Sequence, residues 1–385
     1  MSTDREMICW LNSIEGLGKS AMHVLCERLG EHAAEQLYGM SEEQIRILLT
    51  ECFGEGNKTQ RLMESVLKAG RRDPAGMYAR MLEQGIQMVV EEDEAYPARL
   101  RTIPDPPEVL YVLGRLPAQE KPALAIVGAR DASPYGREQA RRFARELSMA
   151  GVQIISGMAR GVDGIAGRAA LSGSGCSFAV LGCGVDICYP PENRDLYDEL
   201  KKQGGLISEY RPGTEPKSGL FPLRNRIISG LCDVLLVTEA RLRSGTLITA
   251  DAALEQGREV YAIPGRISDS FSMGCNQLIC QGAQAAVSPE QLLEFFYGVR
   301  GEAPEEAQLE RAKCVSIRKS LPQEEGILYE LLNESELRHS RDLLEALSGE
   351  LHHPVSAGEL KRLLMKLILK GYAAEEGTGW YRRAR

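Results

Sequence analysis

Long apolar runs are missing from this sequence. No stretch of about 18 apolar residues occurs, so no segment reads as a membrane-spanning helix. Histidine is scarce, with five in 385 residues, and none falls between residues 121 and 290. That excludes a Ser-His or Cys-His nucleophile pair built within this segment. Neither Gly-x-Ser-x-Gly nor His-Glu-x-x-His occurs. There is no Cys-x-x-Cys either, and the closest pairs, Cys183/Cys188 and Cys275/Cys280, have the wrong spacing for a structural zinc. The first dozen residues lack a basic stretch followed by an apolar one. The ten cysteines therefore read as reduced thiols in a cytoplasmic protein. No metal and no cofactor are expected.

What is present is a globular composition, 43% apolar and 26% charged, over a length that suits two or three domains. The net charge of −8 argues weakly against nucleic acid, but the average hides a split. Residues 121–290 carry 19 cations against 18 anions, and 15 of the cations are arginine, while the rest of the chain sums to −9. Arginine presents a planar fork to phosphate and stacks on bases. A local cationic site on an acidic protein is compatible with these counts.

Four regions follow from the pattern. Residues 1–75 read as helical, with Met22, Leu25 and Leu29 at helical spacing and Ser41 as an N-cap. Within them, Gly16-Leu17-Gly18-Lys19-Ser20-Ala21 fits part of a phosphate-binding P-loop and part of a dinucleotide fingerprint, but both need a strand before the loop. A helix-hairpin-helix turn, with amides at a helix start free for phosphate, or a plain glycine turn remain. Residues 76–297 form the second region. It opens with short strands at Gly85–Val90 and Val109–Leu113 around a proline-rich passage, read as an extension. From residue 121 onward, short apolar runs beginning at Leu124, Gln153, Phe178, Leu206, Val234, Val260 and Ala285 alternate with helical segments. Runs of this kind are strands buried on both faces, so the fold class is α/β, an extended Rossmann-like, doubly wound parallel sheet. Residues 298–322 read as a polar linker with Gly301, Pro304 and Glu302, Glu305 and Glu306. Residues 323–385 read as helices followed by a hairpin, a winged helix or a generic helical tail.

In such sheets ligands bind beyond the C-terminal ends of the strands. Gly128-Ala129-Arg130 follows the first strand, and Ser156-Gly157 opens a second glycine-rich turn that reaches Asp163. Gly182-Cys183-Gly184 and Tyr189-Pro190-Pro191 follow the third, and Arg241-Leu242-Arg243-Ser244-Gly245-Thr246 follows the fifth. Glycines admit close backbone approach, helix starts offer amides, and three of these turns bear arginine, which favours a phosphate-rich ligand. Phe221-Pro222-Leu223-Arg224-Asn225-Arg226, in a loop after Lys217, is expected just ahead of a helix at Ile227–Leu231. A ring beside arginines suits a base and its phosphate. The competing reading is a core-anchoring Phe221 with the arginines paired to Glu209 or Glu215. Asp163, Asp186 and Glu209 read as capping or turn residues rather than catalytic acids.

These motifs resemble the DprA/Smf family of bacterial DNA-processing proteins. The resemblance rests on Ile126-Val127-Gly128-Ala129-Arg130, on Ser156-Gly157-x-Ala159-x-Gly161-Val162-Asp163 and on Phe221-Pro222-x-Arg224-Asn225-Arg226-Ile227-Ile228-Ser229-Gly230. It continues through Ser244-Gly245-Thr246-Leu247-Ile248-Thr249-Ala250 and Pro264-Gly265, in order over about 200 residues. It implies a sterile-alpha-motif or helix-hairpin-helix domain, an extended Rossmann core and a winged helix. It further implies a non-enzymatic protein that binds and protects single-stranded DNA in natural transformation and recombination. Such a protein loads RecA in place of single-strand-binding protein and works as a homodimer through the Rossmann-like domain. The site it implies comprises Gly128, Arg130, Ser156, Gly157, Lys217, Phe221, Arg224, Asn225, Arg226, Arg243, Ser244, Gly245 and Thr246. Ala129 stands where the family usually has Ser or Thr, which removes one hydroxyl. The alternative is a lysine-decarboxylase-like phosphoribohydrolase, but Leu242 to Thr249 lacks two glycines and the glutamate of that block.

Overall fold

The computed structural model describes residues 3–30, 32–173, 176–298, 321–332, 337–351 and 353–384. Most of the expected linker, residues 299–320, and Arg385 lie outside them. Six helices come first: α1 (Thr3–Asn12), α2 (Lys19–Leu29), α3 (Ala33–Gly39), α4 (Glu42–Phe53), α5 (Asn57–Ala69) and α6 (Pro74–Glu83). The glycine turn joins α1 to α2, with no strand before it. Ser41 caps α4 in a reciprocal box with Gln44, a pairing worth about 1 kcal/mol. Trp10, Leu37, Leu49 and Val66 fill the core between these helices.

The chain then runs β1 (Ile86–Val90), α7 (Ala98–Arg101), β2 (Val109–Gly114), β3 (Ala123–Val127), α8 (Pro134–Met149), β4 (Gln153–Ser156), α9 (Val162–Ala170) and β5 (Ser177–Val180). It continues α10 (Arg194–Gln203), β6 (Gly205–Ser208), α11 (Leu220–Gly230), β7 (Val234–Val237), α12 (Gly245–Glu255), β8 (Glu259–Ala262), α13 (Met273–Cys280), β9 (Gln284–Ala285) and α14 (Pro289–Tyr297). One nine-stranded sheet results, in the order β1-β2-β6-β5-β4-β3-β7-β8-β9. The seven strands from β6 to β9 are parallel, and β1 and β2 add antiparallel pairs on the β6 side. The extension foreseen at residues 76–120 is thus part of the sheet itself.

Side-chain alternation along β3 explains the two covered faces. Ala123, Ala125 and Val127 join the core under α11 and α12, whereas Leu124 and Ile126 join the core under α8 and α9. Strands β3 to β6 progress outward on one side, and β7 returns to pair with β3 on the other. The order therefore reverses between β3 and β7, which opens a crevice at their C-terminal ends.

After the linker come α15 (Gln323–Leu331), β10 (Arg338–His339), α16 (Ser340–Leu351), α17 (Ala357–Leu369), β11 (Ala373–Glu375) and β12 (Trp380–Arg383). The three strands pair antiparallel in the order β10-β12-β11. Leu328, Leu343, Leu347, Leu363 and Leu367 pack between the helices.

Candidate nucleic-acid interface

The crevice at the β3/β7 reversal is a cleft of about 440 Å³. Gly128, Ala129 and Arg130 enter it from the end of β3, and Arg243, Ser244, Gly245 and Thr246 from the turn after β7. Phe221, Arg224 and Asn225 enter it from α11, and Phe271 closes the far wall. A smaller adjoining hollow, about 220 Å³, shares Arg130, Phe221 and Arg224 and adds Gly157, Arg160 and Tyr189. Ten of the thirteen residues expected at the site thus line these two spaces. Ser156, Lys217 and Arg226 do not.

The Phe-Pro-x-Arg-Asn-Arg block departs from the expected geometry. It lies inside α11, which begins at Leu220, rather than in a loop before a helix at Ile227. Proline is compatible with this because first-turn amides have no partner in the helix. Along a helix, residues 221, 224 and 225 share a face, while 224 and 226 point about 200° apart. The two arginines therefore part company. Arg224 is buried and its Nη1 donates to the carbonyls of Gly157, at 2.9 Å, and Val180. Arg226 faces the other way, onto Glu209 at 2.7 Å and Asp105 at 2.9 Å.

Arg224 sits with Asp163 beneath the cleft floor. Gly157 separates them so closely that a Cβ there would fall 2.7 Å from both side chains. Asp163 accepts from the Gly157 N–H at 3.1 Å. Burial pushes its carboxyl up, against the pull of Arg224 and of the Ala159 and Gly157 amides. Burial likewise pushes Arg224 down, opposed by Asp163. Ser156, also buried, donates to the Ile126 carbonyl at 2.8 Å and ties β4 to β3.

The upper layer of the cleft is different in kind. Arg130, Arg160, Arg241 and Arg243 are exposed, and none has an ion pair among the described residues. The Arg130 guanidinium stands 5.8 Å from the centre of the Phe221 ring. Tyr189 stacks on that ring, with centroids 5.5 Å apart and planes 24° from parallel. The ring also rests on Gly182, where a Cβ would meet it at 2.7 Å. Opposite, Ser244 precedes α12, and its Oγ is shut from solvent without a hydrogen bond among the described residues. Sequence reasoning placed Arg160, Tyr189 and Arg241 in strand-end turns without assigning them to the site, and it passed over Phe271, which lies nine residues beyond the end of β8. Lys217 is exposed beside the cleft, and its carbonyl accepts from the Leu220 N–H.

The glycine turn before α2 has its own partner. Lys19 donates to Asp105 and to the Pro106 carbonyl, both at 2.6 Å. Asp105 in turn holds Arg226, so four charges, Lys19, Asp105, Arg226 and Glu209, form one chain from the helical region to α11. Burial works to raise the Asp105 carboxyl, but Lys19 and Arg226 together hold it below its ordinary value. A depressed carboxyl stabilises the fold fully above its unfolded pKa and progressively less as pH falls through the native one. Asp105→Ala is therefore expected to cost about 1 kcal/mol or less at neutral pH, as Asp105 is half exposed. The difference from wild type should vanish in acid, which thermal melts across pH 2–7 would check.

Residues 87–297 match the family model described as DNA recombination-mediator protein A. The chain is 36% identical over 295 residues to Protein Smf of Synechocystis sp., covering 75% of this chain and 72% of that one. It is 37% identical over 269 residues to DNA processing protein DprA of Streptococcus pneumoniae, covering 67% and 94%. The X-ray structure of DprA from Streptococcus pneumoniae superimposes with a TM-score of 0.63 and 32% identity, over 76% of this chain and 98% of that one. A structure addressing the single-stranded DNA binding mode of DNA processing protein A from Helicobacter pylori has a TM-score of 0.50 and 31% identity, over 54% and 95%. With the motifs in order, a solved relative superimposing at a TM-score of 0.63 and more than half the chain matched, this chain belongs to the DprA/Smf family of DNA recombination mediators.

Proposed function

We propose that the cleft grips single-stranded DNA without chemistry: phosphates on Arg130, Arg243 and the amides that open α12, and a base against Phe221. One observation carries this reading. On a chain of net charge −8, Arg130 stands exposed, without an ion pair among the described residues, above a ring that lines the cleft. An aromatic surface next to free cations serves unpaired nucleotides because every base has a π-face, and it needs no general base. Gly128, Gly157, Asn225, Ser244, Gly245 and Thr246 complete the contact surface. Arg224 sets its floor, and Ser156 braces the strand end behind it. Arg226 and Lys217 border it.

Family membership supports the wider role of protecting incoming DNA and loading RecA in place of single-strand-binding protein during natural transformation and recombination, in the cytoplasm. It also supports a homodimer through the sheet domain, the division into regions 1–75, 76–297 and 323–385, and a winged helix at the C-terminus. Among the described residues no helix is long and apolar enough to cross a membrane.

The test is a titration of single- and double-stranded oligonucleotides against salt, with molecular mass measured in parallel. Single strands should bind more tightly, with log affinity falling about 0.7 per phosphate contact against log salt. Arg130→Ala should bind more weakly and lower that slope by about 0.7. Equal affinity for duplex, an unchanged slope, or release of adenine from AMP would overturn the reading, the last in favour of a phosphoribohydrolase.

A further inference from the structure

We propose that Phe271, beneath Arg241, is a second base-stacking station on the far wall of the cleft, so that one strand engages both walls with a phosphate between them. This rests on the single-strand reading above and deepens it.

Seven phenylalanines occur in the chain. Phe221 and Phe271 are the two that line the cleft, and they share three further properties. Neither joins any of the six buried clusters among the described residues. Each ring is part-exposed. Each lies under an exposed arginine with no ion pair among those residues, Arg241 being the closer, 4.3 Å from the Phe271 centroid against 5.8 Å for Arg130 over Phe221. Phe143 on α8 and Phe178 on β5, by contrast, are core residues. A part-exposed phenylalanine outside every buried cluster among the described residues, with a guanidinium on its face, has little packing reason to be there, whereas a nucleobase can take that face.

The backbone holds the Phe271 ring in place. The Ala240 N–H, beyond the end of β7, donates to the Phe271 carbonyl at 2.9 Å. The Phe271 N–H donates to Asp269 Oδ1 at 3.0 Å. A platform fixed in this way loses little freedom when a base stacks on it. The turn that opens α12 lines the same cleft, and there the solvent-shielded Ser244 Oγ has no hydrogen-bond partner among the described residues. A hydroxyl in that state, beside amides at the start of an eleven-residue helix, suits a phosphate oxygen. When a base takes the Phe271 face, Arg241 exchanges the ring for a phosphate, so its charge stays in the cleft.

The experiment measures oligothymidylate affinity by fluorescence anisotropy for the full chain and for Phe271→Ala, Phe271→Leu and Phe221→Ala. Leucine keeps most of the volume, so it separates stacking from packing, and melting curves confirm folding. Phe271→Ala and Phe271→Leu are each expected to weaken binding by about 5- to 150-fold. Irradiated strands carrying 5-iodouracil should crosslink to Phe271 as well as to the Phe221–Tyr189 pair. If Phe221→Ala weakens binding while both Phe271 variants match wild type and no crosslink reaches Phe271, the second station is wrong and the single-strand reading stands. If all the variants match wild type, both readings fall.

Discussion

Arg224→Met is expected to lower the free energy of unfolding by about 2–4 kcal/mol, because it strips the charged donor from two buried carbonyls and the electrostatic support from buried Asp163. Asp163 would remain beneath the cleft, keeping the Gly157 amide but losing the guanidinium that offsets its burial. The carbonyls of Gly157 and Val180, at the ends of β4 and β5, would lose a shared donor. Affinity for DNA should fall as well, through distortion of the floor. The salt slope of the protein that remains folded should stay near that of wild type, since a buried guanidinium spent on two backbone carbonyls neutralises no phosphate. Urea denaturation gives the first quantity and a salt titration the second. A stability change under 1 kcal/mol combined with a slope lowered by about 0.7 would make Arg224 a phosphate contact instead.

Phe221→Ala is the second large effect: about 1–3 kcal/mol of single-strand affinity, with much less change in stability. The ring is part-exposed and outside every buried cluster among the described residues, so its removal opens no sealed cavity. It does remove the surface against which Tyr189 stacks and over which Arg130 stands. Equilibrium titration with oligothymidylate, beside a thermal melt, separates the two quantities. A melt shifted as far as that of Arg224→Met, with unchanged affinity, would assign Phe221 to packing.

The parallel sheet was legible because strands buried on both faces announce themselves as short apolar runs, and Val234–Val237 carried no competing signal. The place of β1 and β2 was not legible: Val109–Gly114 reads as a strand, yet nothing local says that it lies antiparallel beside β6. The strand-end rule located the cleft, and Gly128, Arg130 and Ser244 to Thr246 entered it. The rule could not give the start of α11. Read as a loop, Arg224 and Arg226 look like two hands on one phosphate. Six residues of helix send one under the floor and the other to Glu209 and Asp105. Of the two competing sequence readings of the hexapeptide, the pairing with Glu209 is seen for Arg226, while Phe221 lines the cleft instead of anchoring a core. Tyr189 and Phe271 went unseen as ring partners because their contacts are made across the sheet by residues far apart in sequence.

The Lys19–Asp105–Arg226–Glu209 chain gives ionic strength a second point of action. Added electrolyte weakens the hold of cations on polynucleotide, and it also screens the seam that links α2 to α11 through Asp105. A binding isotherm collected at rising electrolyte thus reports counterion displacement blended with any loosening of that seam. Collecting the same series on Lys19→Met, whose seam is already cut at one link, would supply the baseline that disentangles them.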